Sequence, residues 1–254
     1  AICRRCASCS SFFFRAAADA ESCAGGETKV AVLGASGRTG RELVQMLLDK
    51  GHAVTAIVRT PSKMKITHAG LTVAQFDTVT GDVDELAEII AESAMCFVTL
   101  GSDSNQHMGA VKAGTEKMLE AMQRTGVPRV AVCTAVGSGD SYKRAPPSIQ
   151  AYYKDPQMIE LTQSDDIALK SWPGIVAIAV RPGHLSSAPD DGNWRVLSPD
   201  EEITSEMLSK PIPRASVASF FVSLLVPGSY DGKGAEILAV YRSKTRASPG
   251  LLPS

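Results

Sequence analysis

The chain has 254 residues, 44% of them hydrophobic and 21% charged, with a formal net charge of -1. Such a composition describes a globular protein large enough to bury a core without disulfides. Its near-neutral balance sets nucleic acid aside as a partner, and its apolar stretches, such as 175–180, are too short to span a bilayer.

Residues 1 to 27 differ from the rest. They are rich in Ala, Ser and Cys, carry Arg4, Arg5 and Arg15, and contain no acid before Asp19. Organelle transit peptides share this bias, so the segment reads as a leader, with a plastid, a mitochondrion and the cytoplasm all left open. Cys3, Cys6 and Cys9 have a spacing that suits either a metal cluster or a merely cysteine-rich leader. Cys96 and Cys133 fall in apolar runs, where Cys acts as a small hydrophobe, and no disulfide framework is implied. The expected organisation is a leader over 1–27, a nucleotide-binding domain over 28–243 and a tail over 244–254.

From Lys29 onward strand and helix patterns alternate. The first strand is expected over Lys29–Leu33. A helix follows over Arg38–Lys50, with Leu43, Val44, Leu47 and Leu48 on its apolar stripe and Gly51 as its stop. Strands are expected over Ala53–Val58 and Leu71–Phe76, a helix over Val83–Glu92, and a strand over Met95–Leu100. A long helix over Met108–Thr125 precedes a strand over Arg129–Thr134, a helix over Pro156–Lys170 and a strand over Ile175–Arg181. The pattern loosens over residues 182 to 213, a stretch that suits either a substrate lid or a surface loop. A helix over Arg214–Val226 and a strand over Glu236–Tyr241 close the domain. Strands so continuously apolar are buried on both faces, which predicts a doubly wound α/β fold with ligands at the carboxyl ends of a parallel sheet.

Between the first strand and first helix lie Gly34, Gly37 and Gly40. The first permits a tight turn, the second lets a diphosphate approach the backbone, and the third lets helix and strand pack closely. A helix N-terminus presented this way binds phosphate through its free amides. The second strand ends not in a carboxylate but in Arg59, with Lys63 behind it and Arg38 inside the glycine loop. A carboxylate there would repel a 2′-phosphate and a guanidinium can pair with it, which favours NADP(H) over NAD(H). The alternative is that Arg59 and Lys63 are solvated loop charges. Asp77, after the third strand, suits either an acceptor for the adenine amino group or a turn residue.

Five segments occur in a particular order: Gly34-Ala35-Ser36-Gly37-Arg38-Thr39-Gly40, Val58-Arg59-Thr60-Pro61-Ser62-Lys63, Val98-Thr99-Leu100-Gly101, Val132-Cys133-Thr134-Ala135 and Val180-Arg181-Pro182-Gly183-His184. With residues 212–218 before the late helix, they resemble the atypical short-chain dehydrogenase/reductases of the NAD(P)H-binding, NmrA-like type, and within it the flavin and biliverdin reductases. The resemblance covers about residues 29 to 241. It implies a single Rossmann-type domain in which Ser36 to Gly40 hold the diphosphate. Arg59 and Lys63 would hold the 2′-phosphate, Asp77 and Thr78 would flank the adenine, and Leu100 and Gly101 would approach the ribose. Thr134, Pro182, Gly183 and His184 would border the nicotinamide.

Two departures bear on activity. Short-chain dehydrogenases use a Tyr-xxx-Lys pair, the Tyr as acid and the Lys lowering its pKa. Four residues beyond Tyr152 and Tyr153 stand Pro156 and Gln157 instead. The flavin reductases carry a serine after the fifth-strand threonine, and this chain has Ala135. His184 is the candidate proton donor, its alternative being a loop histidine bonded to backbone. Ser138, Tyr142, Tyr152 and Tyr153 follow the fifth strand and could contact a substrate. His52, His68 and His107 have no metal spacing. The expected function is NADPH-dependent reduction of a small conjugated acceptor such as a flavin or quinone. The alternative is an NADP-binding sensor, scaffold or assembly factor without turnover.

Overall fold

The computed structural model describes residues 27–101, 109–190, 192–228 and 230–239. Cys3, Cys6, Cys9 and His107 lie outside them, as do Met108 and the end of the last expected strand at Tyr241. The first half of the domain alternates as β1 (Lys29–Leu33), α1 (Arg38–Asp49), β2 (Ala53–Val58), β3 (Leu71–Gln75), α2 (Val83–Ile90) and β4 (Met95–Val98). The second half continues with α3 (Ala110–Thr125), β5 (Arg129–Cys133), α4 (Pro147–Tyr152), α5 (Pro156–Leu169) and β6 (Val176–Pro182). After β7 (Leu185–Ser186), β8 (Trp194–Val196), α6 (Ser205–Ser209) and β9 (Ile212–Pro213) come α7 (Arg214–Ser223) and β10 (Gly234–Ala239).

One sheet runs in the order β3-β2-β1-β4-β5-β6-β10-β8. Seven of its strands are parallel, and β8 pairs antiparallel with β10 at the edge. Chain order reverses between β1 and β4, the switch point at which a doubly wound sheet opens a crevice. Alternate residues of each strand feed opposite cores because successive side chains point to opposite faces. Val30, Val32, Val54 and Ala56 pack with Leu43, Val44 and Leu47 of α1 and with Val217 and Phe221 of α7. Ala31, Leu33, Ile57 and Val98 pack with Leu86 of α2, and with Met118 and Met122 of α3. Phe97 meets Phe221 edge-on, ring centroids 5.9 Å apart, and fixes α7 against the sheet.

Most strand and helix bounds agree with expectation to within two residues, because their periodicity is local. The 182–213 segment is different. It carries β7 and β9, which pair parallel with Leu185 opposite Ile212, and the edge strand β8. Leu197, Ile203 and Leu208 pack with Val136, Ala145 and Ile149 in a third core. Two backbone and side-chain bonds reinforce it: Ile203 N donates to Arg144 O at 3.1 Å, and Arg144 Nη1 to Glu201 O at 2.8 Å. The segment and the loop after β5 thus form one packed lobe, launched from the carboxyl ends of β5 and β6.

Candidate dinucleotide site

The turn after β1 is set by backbone packing. Gly34 has φ of +85°, Gly34 N donates to Ile57 O at 3.1 Å, and Gly37 N donates to Gly34 O at 2.9 Å. A Cβ on Gly34 would stand 3.0 Å from the carbonyl carbon of Thr99, and one on Gly37 3.0 Å from Gly34 O. A Cβ on Gly40 would collide with Gly34 O and lie 2.8 Å from Thr99 Oγ1. Thr99 is pinned in turn, its Oγ1 donating to Leu33 O at 3.1 Å. The N-terminus of α1 therefore lies against the ends of β1 and β4. Gly37, at the N-cap, supplies no side-chain acceptor, and the first turn holds no acidic residue. Amides at such an end lack intrahelical partners and favour an anion. Gly37 and Arg38 are exposed, Ser36 is half-buried, and Thr39 and Gly40 are buried beneath them.

Arg59 follows β2 directly, and Lys63 ends a 3-10 turn over Pro61–Lys63; both are exposed. Asp77 follows β3 by one residue. Its Oδ1 accepts from Val79 N at 2.8 Å and Thr80 N at 3.3 Å. The Val79 amide, with help from the Thr80 amide and the charges of Arg59 and Lys117, holds this carboxyl below the usual carboxylate range despite some burial. The turn reading of Asp77 is thus realised in the geometry. Lys117 Nζ closes the same loop, donating to Val79 O at 3.0 Å and Gly81 O at 2.6 Å. Gly114 of α3 lets the helix press against this loop: a Cβ there would run into Leu100 Cδ1 and stand 2.9 Å from Thr78 Cγ2. Thr78 is buried, Leu100 half-buried and Gly101 exposed, in the crevice between β3, β4 and α3.

At the other end, Thr134 is buried and its hydroxyl donates to Asp165 Oδ1 at 2.8 Å. Asp165 also grips Arg181 through Nε–Oδ1 at 2.9 Å and Nη2–Oδ2 at 2.7 Å. Both side chains are 1% exposed. Asp140 adds a second carboxylate, its Oδ1 2.5 Å from Arg181 Nη1. Sequence reasoning missed this network; a lone Arg within an apolar strand was its only signal. Pro182 is buried and its carbonyl accepts from Val136 N at 3.0 Å. Gly183 is half-buried and His184 is exposed. The His184 carbonyl accepts from Ile212 N at 2.7 Å, while its ring meets Tyr152 edge-on at 6.3 Å. Tyr153 donates to Val136 O at 2.5 Å, and burial pushes its hydroxyl up to about 12. It packs edge-on against Tyr142, ring centroids 5.5 Å apart, and Ser138 is fully buried.

Taken together, a glycine turn, an uncapped helix end at the switch point and crevices on either side define a doubly wound dinucleotide-binding domain. Residues 34–226 match the model of the NAD(P)H-binding family, and the chain belongs to that family. An uncharacterised chloroplastic protein of Arabidopsis thaliana is 27% identical over 237 residues, spanning 89% of this chain and 82% of its own length. The structure of ChuY, an anaerobilin reductase of Escherichia coli O157:H7, superposes with a TM-score of 0.69 at 18% identity, over 89% of this chain and all of that one. A short-chain dehydrogenase/reductase of Veillonella parvula, solved with NADP, gives a TM-score of 0.65 at 15% identity over 83% of this chain and 94% of its own. No described helix is long and apolar enough to cross a membrane.

Proposed function

We propose that this chain is an NADPH-dependent reductase of a small, planar, conjugated acceptor of the flavin or quinone kind. The observation that carries the proposal is the pairing of an uncapped α1 N-terminus with Arg59 and Lys63 at the end of β2. In this reading the amides of Ser36 to Gly40 hold the diphosphate, and Arg38 adds charge beside them. Arg59 and Lys63 hold the 2′-phosphate. Thr78 and Leu100 border the adenosine, with Gly101 at the ribose and Asp77 shaping the loop through its turn. Thr134, Pro182 and Gly183 form the floor under the nicotinamide, stiffened by Asp165 and Arg181. The cofactor supplies a hydride, and the protein supplies position. His184 or solvent delivers the proton to the reduced acceptor. A flavin or quinone needs little precise acid catalysis, so the lost Tyr-Lys pair and Ala135 weigh less here than they would for a carbonyl reductase.

Arg59→Glu is expected to weaken NADPH binding by about 100-fold, two charge-assisted contacts' worth, while NADH binding changes far less. Calorimetry with both cofactors checks this, and equal losses would remove the 2′-phosphate assignment. The function itself is tested by following NADPH absorbance with flavin mononucleotide and simple quinones as acceptors. Turnover is expected, with His184→Ala slowing it about 100-fold if the imidazole is the acid. Tight NADPH binding without turnover on any acceptor would favour the second reading, a sensor or assembly factor. Ala135 and the commitment of the Thr134 hydroxyl to Asp165 are what support that reading.

The leader-like composition of residues 1–27, beside a chloroplastic relative, supports a plastid location. A fluorescent fusion carrying residues 1–27 is expected to enter isolated chloroplasts, and exclusion from them would count against it.

A further inference from the structure

The late helix α7 opens on Arg214, whose place is set by one side-chain bond and by the backbone pairing just before it. Its Nη1 donates to Ser187 Oγ at 3.3 Å, just beyond β7. The β7–β9 ladder sets Ser186 opposite Pro213, the residue before Arg214, and Ile212 N holds the His184 carbonyl at 2.7 Å. On the sheet side Cys133, the last residue of β5, shares a core with Val217 and Ala218 of α7. Burial pushes its thiol up to about 12 while the positive charge of Arg214 acts in the opposite direction. Arg214 is therefore held between the carboxyl end of β5 and the strap that carries His184. It is half-buried, so water screens its charge only in part.

We propose that Arg214 is a catalytic residue whose guanidinium stabilises the negative charge an acceptor gains when it is reduced. The inference rests on the reductase reading above and deepens it. A conjugated acceptor that receives one hydrogen with two electrons becomes a monoanion. The nicotinamide loses the same hydride and becomes cationic. One proton, from solvent or His184, then completes the reduced acceptor. Before that proton arrives the charge needs a stabilising partner, because hydride transfer creates it before His184 or solvent protonates it. A permanently charged guanidinium provides that stabilisation without a proton transfer.

The test uses the full chain with Arg214→Met and Arg214→Lys. Arg214→Met is expected to lower kcat with a neutral quinone about 100-fold, the effect of removing one oxyanion donor. Its KM and its Kd for NADPH are expected to change by less than about threefold, since the contact forms with charge that appears only on reaction. Arg214→Lys is expected to restore part of kcat. A second readout needs no turnover: with NADP bound, the wild type is expected to bind 2-hydroxy-1,4-naphthoquinone, an anion at neutral pH, more tightly than neutral 1,4-naphthoquinone. Arg214→Met is expected to erase that preference. Unchanged kcat beside an unchanged anion preference overturns the role of Arg214 and leaves the reductase reading standing. A loss of NADPH affinity matching the loss of rate overturns it too, by assigning Arg214 to the cofactor. A wild type that binds NADPH yet reduces no acceptor overturns the reductase reading and this role together.

Discussion

Asp165→Ala is expected to destabilise the folded chain by about 3–5 kcal/mol, the usual consequence of leaving a buried charge without its partner. Arg181 is 1% exposed and receives its two in-plane contacts from Asp165. Asp140 is a poor replacement, because its side chain is 81% exposed and water screens its charge. The guanidinium has nowhere to retreat: a Cβ on Gly139 would stand 2.6 Å from Nη2, and one on Gly234 would overlap the group itself. The substitution also strips the Thr134 hydroxyl of its closer acceptor, leaving it only the Val180 carbonyl at 3.4 Å. Urea unfolding at neutral pH measures the loss, and a change below about 1 kcal/mol, the value of an exposed pair, would show that the network is not the anchor described. NADPH affinity is expected to fall as well, since Asp165 ties Thr134, just past β5, to Arg181, the neighbour of Pro182 on β6.

Gly40→Ala is the second large effect, and its sign separates two physical arguments. Gly40 lies inside α1, where alanine is ordinarily favoured over glycine by about 1 kcal/mol. Here the added methyl would collide with Gly34 O and come within 2.9 Å of Ala35 Cα and 2.8 Å of Thr99 Oγ1. Two of those three neighbours are backbone and cannot rotate aside. The expected result is a net destabilisation of about 1–3 kcal/mol, the range for overpacking. Nucleotide affinity is expected to drop at least about tenfold, because α1 must move off the turn that aims its amides. Calorimetric titration with NADPH beside a thermal melt reads both effects. A Gly40→Ala chain as stable as the wild type, with full affinity, would discard the close-packing assignment and with it the geometry of the phosphate cradle.

Much of the candidate site was legible because its signals are local. Gly34, Gly37 and Gly40 sit within one turn and the start of one helix, and Arg59 and Lys63 follow one strand. Asp77 shows the limit of that reading. Composition allowed either an adenine acceptor or a turn residue, and only the placement of the Val79 and Thr80 amides shows Oδ1 engaged in the turn. The lobe over 182–213 was legible still less. Its strands β7 and β9 are two residues long, too short to show a period of two, and each is defined by a partner distant in the chain.

The sequence by itself determined the alternation of strand and helix, the place of the glycine turn and the cations after β2, since each depends on periodicity or on neighbours a few residues away. Tertiary structure decided the rest. Asp165 and Arg181 are 16 residues apart and meet only because α5 folds back over β6. Arg214 opens α7 and Ser187 follows β7, and the hydrogen bond between them depends on how that helix docks against the sheet. Pairings of this kind leave no period in the chain, because what selects them is the burial of a charge or the closing of a lobe, and those exist only once the sheet has formed.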